Sequence, residues 1–138
     1  MYGRKTVLPV LALMIGVGCS LAQGKEEKKA DVISFKKSVF PIINAKCLPC
    51  HAEDNFNPSE LNLDSYDAMM KGGKHGELVK PGKSKESLLV DKIGDKPKFG
   101  DRMPLNSKRK IAEGKAVWLT EAEVKTIATW IDQGAKNN

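Results

Sequence analysis

Two cysteines and a histidine stand together at Cys47-Leu48-Pro49-Cys50-His51. In the order C-x-x-C-H, two thiols three residues apart share one helical turn and can reach the two vinyl groups on one edge of a haem. The adjacent imidazole can then lie under the iron. The chemistry this order points to is covalent c-type haem attachment, with Cys47 and Cys50 forming thioethers and His51 serving as proximal ligand. The same residues could instead form a disulfide, a thioredoxin-like dithiol or a zinc site. A thioredoxin-like pair is expected beside a βαβ unit, and no convincing strand pattern surrounds this one. Structural zinc usually takes four Cys or His ligands. Only Cys47, Cys50, His51 and His75 remain once Cys19 is assigned to the leader, without the second close pair of a finger or ribbon.

The sixth position of a haem iron decides between electron transfer and chemistry on small molecules. Met69, Met70, Met103 and His75 are the residues beyond the leader that could fill it with a thioether or a second imidazole. Met103 is the expected ligand. It lies in the turn-rich stretch Gly100-Asp101-Arg102-Met103-Pro104, where Pro104 restricts the backbone and no helix needs the Met as filler. Met69 and Met70 have the spacing of helix residues packed in a core or haem wall. His75, between glycine-rich turns, reads as a solvated loop residue. The alternative is an open sixth site, as in a peroxidase-like or gas-binding haem protein.

These residues need elements to position them, and the apolar spacing predicts helices. Ser34 can cap a helix carrying Phe35, Val39, Ile42 and Ile43 that runs straight into Cys47, with Pro41 kinking it or starting it afresh. Asp64 or Ser65 can cap a short helix with Tyr66, Met69 and Met70, stopped by Gly72-Gly73. Ser84 can cap another through Leu88, Leu89 and Ile93, stopped by Gly94. Thr120 and Glu123 form a capping box ahead of Val124, Ile127, Ala128, Trp130 and Ile131, with Gly134 as the stop. Residues 108–118 are ambiguous, since Glu113-Gly114 could turn a small hairpin.

The N-terminus reads as an export signal. Arg4 and Lys5 precede an apolar run over residues 7–17, too short for a comfortable bilayer span, and small residues follow. Two readings stay open: cleavage after Ala22, or a lipoprotein signal cleaved before a lipidated Cys19 that anchors the protein to a membrane. Residues 1–22 are read as the signal segment, ending before Cys19 in the lipoprotein reading, residues 23–32 as a flexible tether and residues 33–138 as the domain, working in the periplasm or on the outer face of a bacterial membrane. About 116 of the 138 residues then build the core, and aromatics are only 6% of the chain, so a bulky apolar cofactor would help fill it. Without Arg4 and Lys5, 21 basic residues face 17 acidic ones. No recognition motif accompanies the basic stretch at residues 71–85, which reads as solvated surface or a docking face for a protein, with no nucleic-acid partner expected.

The ordered series of motifs resembles the planctomycete-type cytochrome c domain, a branch of the class I cytochromes c. Phe35-Lys36-Lys37-Ser38-Val39-Phe40-Pro41-Ile42-Ile43 is similar to that family's opening. The haem box, Leu61-Asn62-Leu63-Asp64-Ser65-Tyr66, Gly72-Gly73, Val79-Lys80-Pro81-Gly82, Ser87-Leu88, Arg102-Met103-Pro104 and Trp130-Ile131-Asp132-Gln133-Gly134-Ala135 follow in order. The resemblance implies an all-α, compact class I-like fold around one covalently bound haem c, with terminal helices crossing near it. His51 and Met103 would be the axial ligands of a monomeric carrier of single electrons between redox proteins, not an enzyme. Two departures stand out: Leu105 follows Pro104 where the family usually has a second Pro, and residues 106–118 are longer than usual.

Overall fold

The Ser34 hydroxyl accepts the Lys37 amide at 3.3 Å and opens the first helical stretch, as the spacing predicts. Phe35–Val39 wind as a wide π-turn that passes into α1, Phe40–Lys46. Pro41 falls in the first turn of α1, where a missing N–H breaks no intrahelical bond, so it starts the helix afresh. The computed structural model describes residues 31–55 and 57–138, together with Gly3. The expected leader, Cys19 and most of the tether lie outside the described residues.

Five further helices follow: α2 (Leu48–His51), α3 (Tyr66–Lys71), α4 (Leu88–Ile93), α5 (Lys108–Ala112) and α6 (Glu121–Asp132). Among the described residues there is no strand, only an isolated bridge between Gly73 and Gly76, so the all-α expectation holds. Ser65 caps α3 by accepting the Ala68 amide. Its neighbour Asp64 instead accepts the Glu53 amide at 2.6 Å. The chain leaves α3 through Gly72 at φ +76, and a Cβ there would run into the Gly76 carbonyl.

Two expectations need correcting. Ser84 does not cap the helix through Leu88 to Ile93. It begins a separate 3-10 turn, Ser84–Glu86, and both its amide and its hydroxyl donate to the Asp132 carboxylate of α6 at 2.9 Å. Ser87 takes the N-cap position of α4, but its buried hydroxyl accepts the Lys80 amide and donates to the Lys83 carbonyl instead. Residues 108–118 do not form a hairpin either. Ser107 caps α5, and Gly114 at φ +66 marks the turn out of it.

The core lies where the N-terminal stretch meets α6. Phe35, Val39 and Ile43 are buried together with Ile127, Trp130 and Ile131, while Met69, Leu89 and Ile93 join from α3 and α4. The Phe35 ring lies 5.4 Å from that of Trp130 and 5.2 Å from that of Tyr66, in tilted and edge-on arrangements favoured between aromatic quadrupoles. The polar ends of these rings are satisfied. Trp130 donates to the Lys136 carbonyl and Tyr66 to the Ala135 carbonyl. Asn138 accepts the Lys36 amide on its backbone oxygen and the Phe35 amide on its side chain, giving partners to donors that a helix start leaves open. The capping box forms as expected: Thr120 accepts the Glu123 amide while Glu123 accepts the Thr120 amide at 2.7 Å.

Candidate functional site

α1 delivers the motif. Cys47 closes α1 by donating its amide to the Ile43 carbonyl at 2.8 Å, and its own carbonyl then accepts the amides of Cys50 and His51. The backbone at Cys47, with φ −117, bends the chain into α2, and Pro49 occupies that helix's first turn. Cys47, Cys50 and His51 therefore stand on one turn, as the sequence predicts. Among the described residues neither thiol is bridged, Cys47 being half-buried and Cys50 exposed. Asn55 reaches back to the carbonyls of Leu48 and Pro49 and holds the end of α2.

Burial, and secondarily the charge on Cys50, push the Cys47 thiol up to about 11. It is protonated at neutral pH, the reverse of the lowered pKa that makes a dithiol an active redox nucleophile. No group of three or more His, Cys, Asp or Glu side chains converges into a metal-binding cluster among the described residues.

His51 is oriented by the strand of chain that follows it. Its carbonyl accepts the Leu63 amide at 2.9 Å, and its Nδ1 lies 3.2 Å from the Leu61 carbonyl. A carbonyl only accepts, so this contact is a hydrogen bond when Nδ1 carries the proton. That tautomer leaves the lone pair on Nε2, the nitrogen a metal would take.

Met103 stands on a different loop. Its amide donates to the Lys92 carbonyl at 2.7 Å, fixing the turn to the end of α4. Lys92 also donates Nζ to the Phe99 carbonyl and lies 4.7 Å from the Phe99 ring, and the Asp91 carboxylate accepts the Lys98 amide. The half-buried Met103 precedes Pro104 through a cis peptide. No hydrogen bond among the described residues links this turn directly to the turn of Cys47, Cys50 and His51.

The other candidate ligands are placed as follows. Met69 is fully buried in the core, as expected, and Met70 packs half-buried against it. His75 is exposed, its ring 5.6 Å from that of Phe99. It borders a small apolar hollow with Leu61, Leu78 and Leu88.

Sequence reasoning missed Arg102. Its Nη1 lies 2.7 Å from the Asp95 carboxylate and its guanidinium 4.6 Å from the Trp118 ring, yet its Nε is buried with no hydrogen-bond partner among the described residues. A buried guanidinium N–H without an acceptor is costly, and one missing anionic oxygen would relieve it. Haem carries two propionate carboxylates. Together with two unbridged thiols on one turn and an imidazole whose Nε2 is free, the orphaned donor beside Met103 makes the residues present fit a covalently held haem.

Residues 47–104 match the family model described as Planctomycete cytochrome C, beginning at the first motif cysteine and ending at Pro104. No curated protein and no solved structure matches the chain. The stretch 47–104 carries a planctomycete-type cytochrome c domain, and the strandless helical structure is compatible with an all-α cytochrome c-like fold.

Proposed function

We propose that this cytochrome c domain carries single electrons between redox proteins outside the cytoplasm, using one haem c bound through Cys47 and Cys50 and ligated by His51 and Met103. The observation that carries the reading is the turn from Cys47 to His51, in which two thiols share one helical turn and the Leu61 carbonyl orients the imidazole. Bound haem supplies a reversible one-electron couple at iron.

Each residue has a separate task. Cys47 and Cys50 fix the position of the cofactor so that it cannot dissociate between partners. The Leu61 carbonyl holds the His51 ring in one orientation and keeps the proton on Nδ1. The Lys92 carbonyl holds the Met103 turn to α4 and would keep its sulfur in place as a ligand. A Met ligand raises the reduction potential relative to a second His, so the couple is expected towards the oxidising side. Arg102, whose buried Nε has no hydrogen-bond partner among the described residues, would donate to a propionate of the bound haem. Pro49 and Cys50 are exposed, consistent with an edge open to partners at the motif. Export rests on the leader at residues 1–22, and the domain works as a monomer.

The test is the absorption spectrum of the protein expressed with a cytochrome maturation system. Sharp ferrous α and β bands that survive acid-acetone extraction, with a chain mass increased by one haem, are expected. An unmodified chain overturns covalent attachment. Ready binding of carbon monoxide at neutral pH overturns the closed site and favours the peroxidase-like or gas-binding alternative.

A further inference from the structure

We infer that the loop of residues 105–117 is a docking face for an acidic redox protein with an apolar centre, an inference that rests on the electron-carrier reading above. The loop starts where the family match ends. It is closed on itself by one side chain: Asn106 Nδ2 donates to the carbonyls of Pro104 and Val117, and its Oδ1 accepts the Val117 amide. The two ends are thereby clipped together, and the bond to Pro104 ties the loop to the Met103 turn. α5 gives the closed loop a rigid tip.

The surface of this loop is distinct in composition. Leu105, Ile111 and Val117 are 64%, 49% and 58% exposed, three of the five large apolar side chains most open to solvent among the described residues. Around them stand Lys108, Arg109, Lys110 and Lys115, all exposed, against one acid, Glu113. Glu113 is already engaged, 3.0 Å from Lys115 and 3.9 Å from Arg109, and no ion pair among the described residues engages Lys108 or Lys110. Elsewhere in residues 31–138 fourteen basic side chains balance fourteen acidic ones, so this loop holds the whole formal excess of positive charge.

Exposed apolar side chains on a loop that also carries four exposed cations, Lys108 and Lys110 unengaged by any ion pair among the described residues, supply an interface centre with a charged rim, and the complementary surface is acidic with an apolar middle. A protein suits it better than an anionic membrane. α5 is five residues long, and so short a helix has little amphipathic face to lay among headgroups. A partner seated here would lie next to the Met103 turn.

The experiment measures oxidation of the ferrous holoprotein by a small, strongly acidic blue-copper protein across a range of ionic strength. The small cation tris(phenanthroline)cobalt(III) serves as a second oxidant. Lys108→Glu/Lys110→Glu should slow the copper-protein reaction about tenfold or more at low salt and flatten its salt dependence. The spectrum and midpoint potential should stay unchanged. Ile111→Ser should slow the same reaction without altering the salt slope. Lys74→Glu/Lys85→Glu, on the other basic stretch, should change the rate less than the loop pair.

Equal effects of the two double substitutions, or none from the loop pair, would overturn the inference. So would a shifted spectrum in Ile111→Ser, which would make that side chain part of the haem wall. Loss of binding to phosphatidylglycerol vesicles with an unchanged protein reaction would identify a membrane face instead. A wild-type chain without reducible haem would overturn the carrier reading itself and this inference with it, an outcome separate from unchanged rates in a functional cytochrome.

Discussion

Arg102 stacks its guanidinium 4.6 Å from the ring of Trp118, sixteen positions along the chain, and so joins the Met103 turn to the segment entering α6. The same side chain holds Asp95 and keeps a buried Nε without a partner among the described residues. On the proposed reading, replacing it by Gln would remove a positive charge beside the haem and the donor to a propionate. Arg102→Gln should lower the reduction potential by a shift measurable in protein-film voltammetry while leaving the haem covalently attached. A potential equal to wild type would show that Nε serves no haem carboxylate.

If the proposed attachment holds, each motif thiol would anchor one side of the cofactor. Cys47→Ala and Cys50→Ala should each leave haem held through a single thioether, and the double substitution should leave none after denaturation. Mass spectrometry of the denatured chains checks this directly. A double variant that keeps its haem through denaturation would contradict the assignment.

Met103, Met69 and His75 separate cleanly by substitution. Met103→Ala should abolish the weak sulfur-to-iron band of the ferric protein, open the iron to carbon monoxide and lower the potential. Met69→Ala should leave the spectrum intact but cost about 2–5 kcal/mol in stability, because its side chain is fully buried in the core. His75→Ala, at an exposed position, should do neither. Loss of the low-spin spectrum in His75→Ala alone would mean bis-His ligation.

The capping box predicts a pH dependence with a definite sign. The Thr120 backbone N–H, followed by the Thr120 hydroxyl and the charge of Lys46, holds the Glu123 carboxyl below its ordinary value of 4.5. The box therefore contributes its stability in full above that value and loses it as pH falls through the lowered one. Thr120→Ala should cost about 1 kcal/mol at neutral pH by denaturant titration. Glu123→Gln should flatten the acid limb of the stability profile, and an unchanged limb would count against the carboxylate's role.

Asn106 makes its own prediction. Asn106→Ala removes three hydrogen bonds that close the loop and should destabilise the fold by about 1 kcal/mol, since the loop is exposed. Amide exchange should accelerate across residues 106–117 and nowhere in the core. Uniform acceleration would mean the clip supports the whole fold.

The contacts that were legible in the sequence are local ones. The Thr120–Glu123 box, the Ser34 cap and the stripe of Ile127 and Ile131 announce themselves within one or two turns, and the motif at Cys47, Cys50 and His51 is contiguous. Ser84 misled because its donors are taken by Asp132, forty-eight positions away, a partner that no local pattern names. α5 escaped because Lys108–Ala112 lacks an apolar stripe, and its loop is held by Asn106 across eleven positions. Within the site, the Leu61 carbonyl and the Arg102 pairings share that non-local character. A backbone carbonyl leaves no side-chain signature, and an arginine beside a methionine reads as one more surface charge.

The closure of the fold at Asn138 bears on the order in which the chain is made. Phe35 and Val39 bury themselves against Ile127, Trp130 and Ile131, and the amides of Phe35 and Lys36 find acceptors on Asn138, about a hundred positions later. During vectorial synthesis the N-terminal helices emerge long before these partners exist, and the entropy of closing so long a loop falls due only once residues 127–138 have emerged. Cys47 and Cys50 are thus translated in a chain that cannot yet fold around them. The burial that later half-covers Cys47 comes after an interval in which both thiols are open to a modifying enzyme.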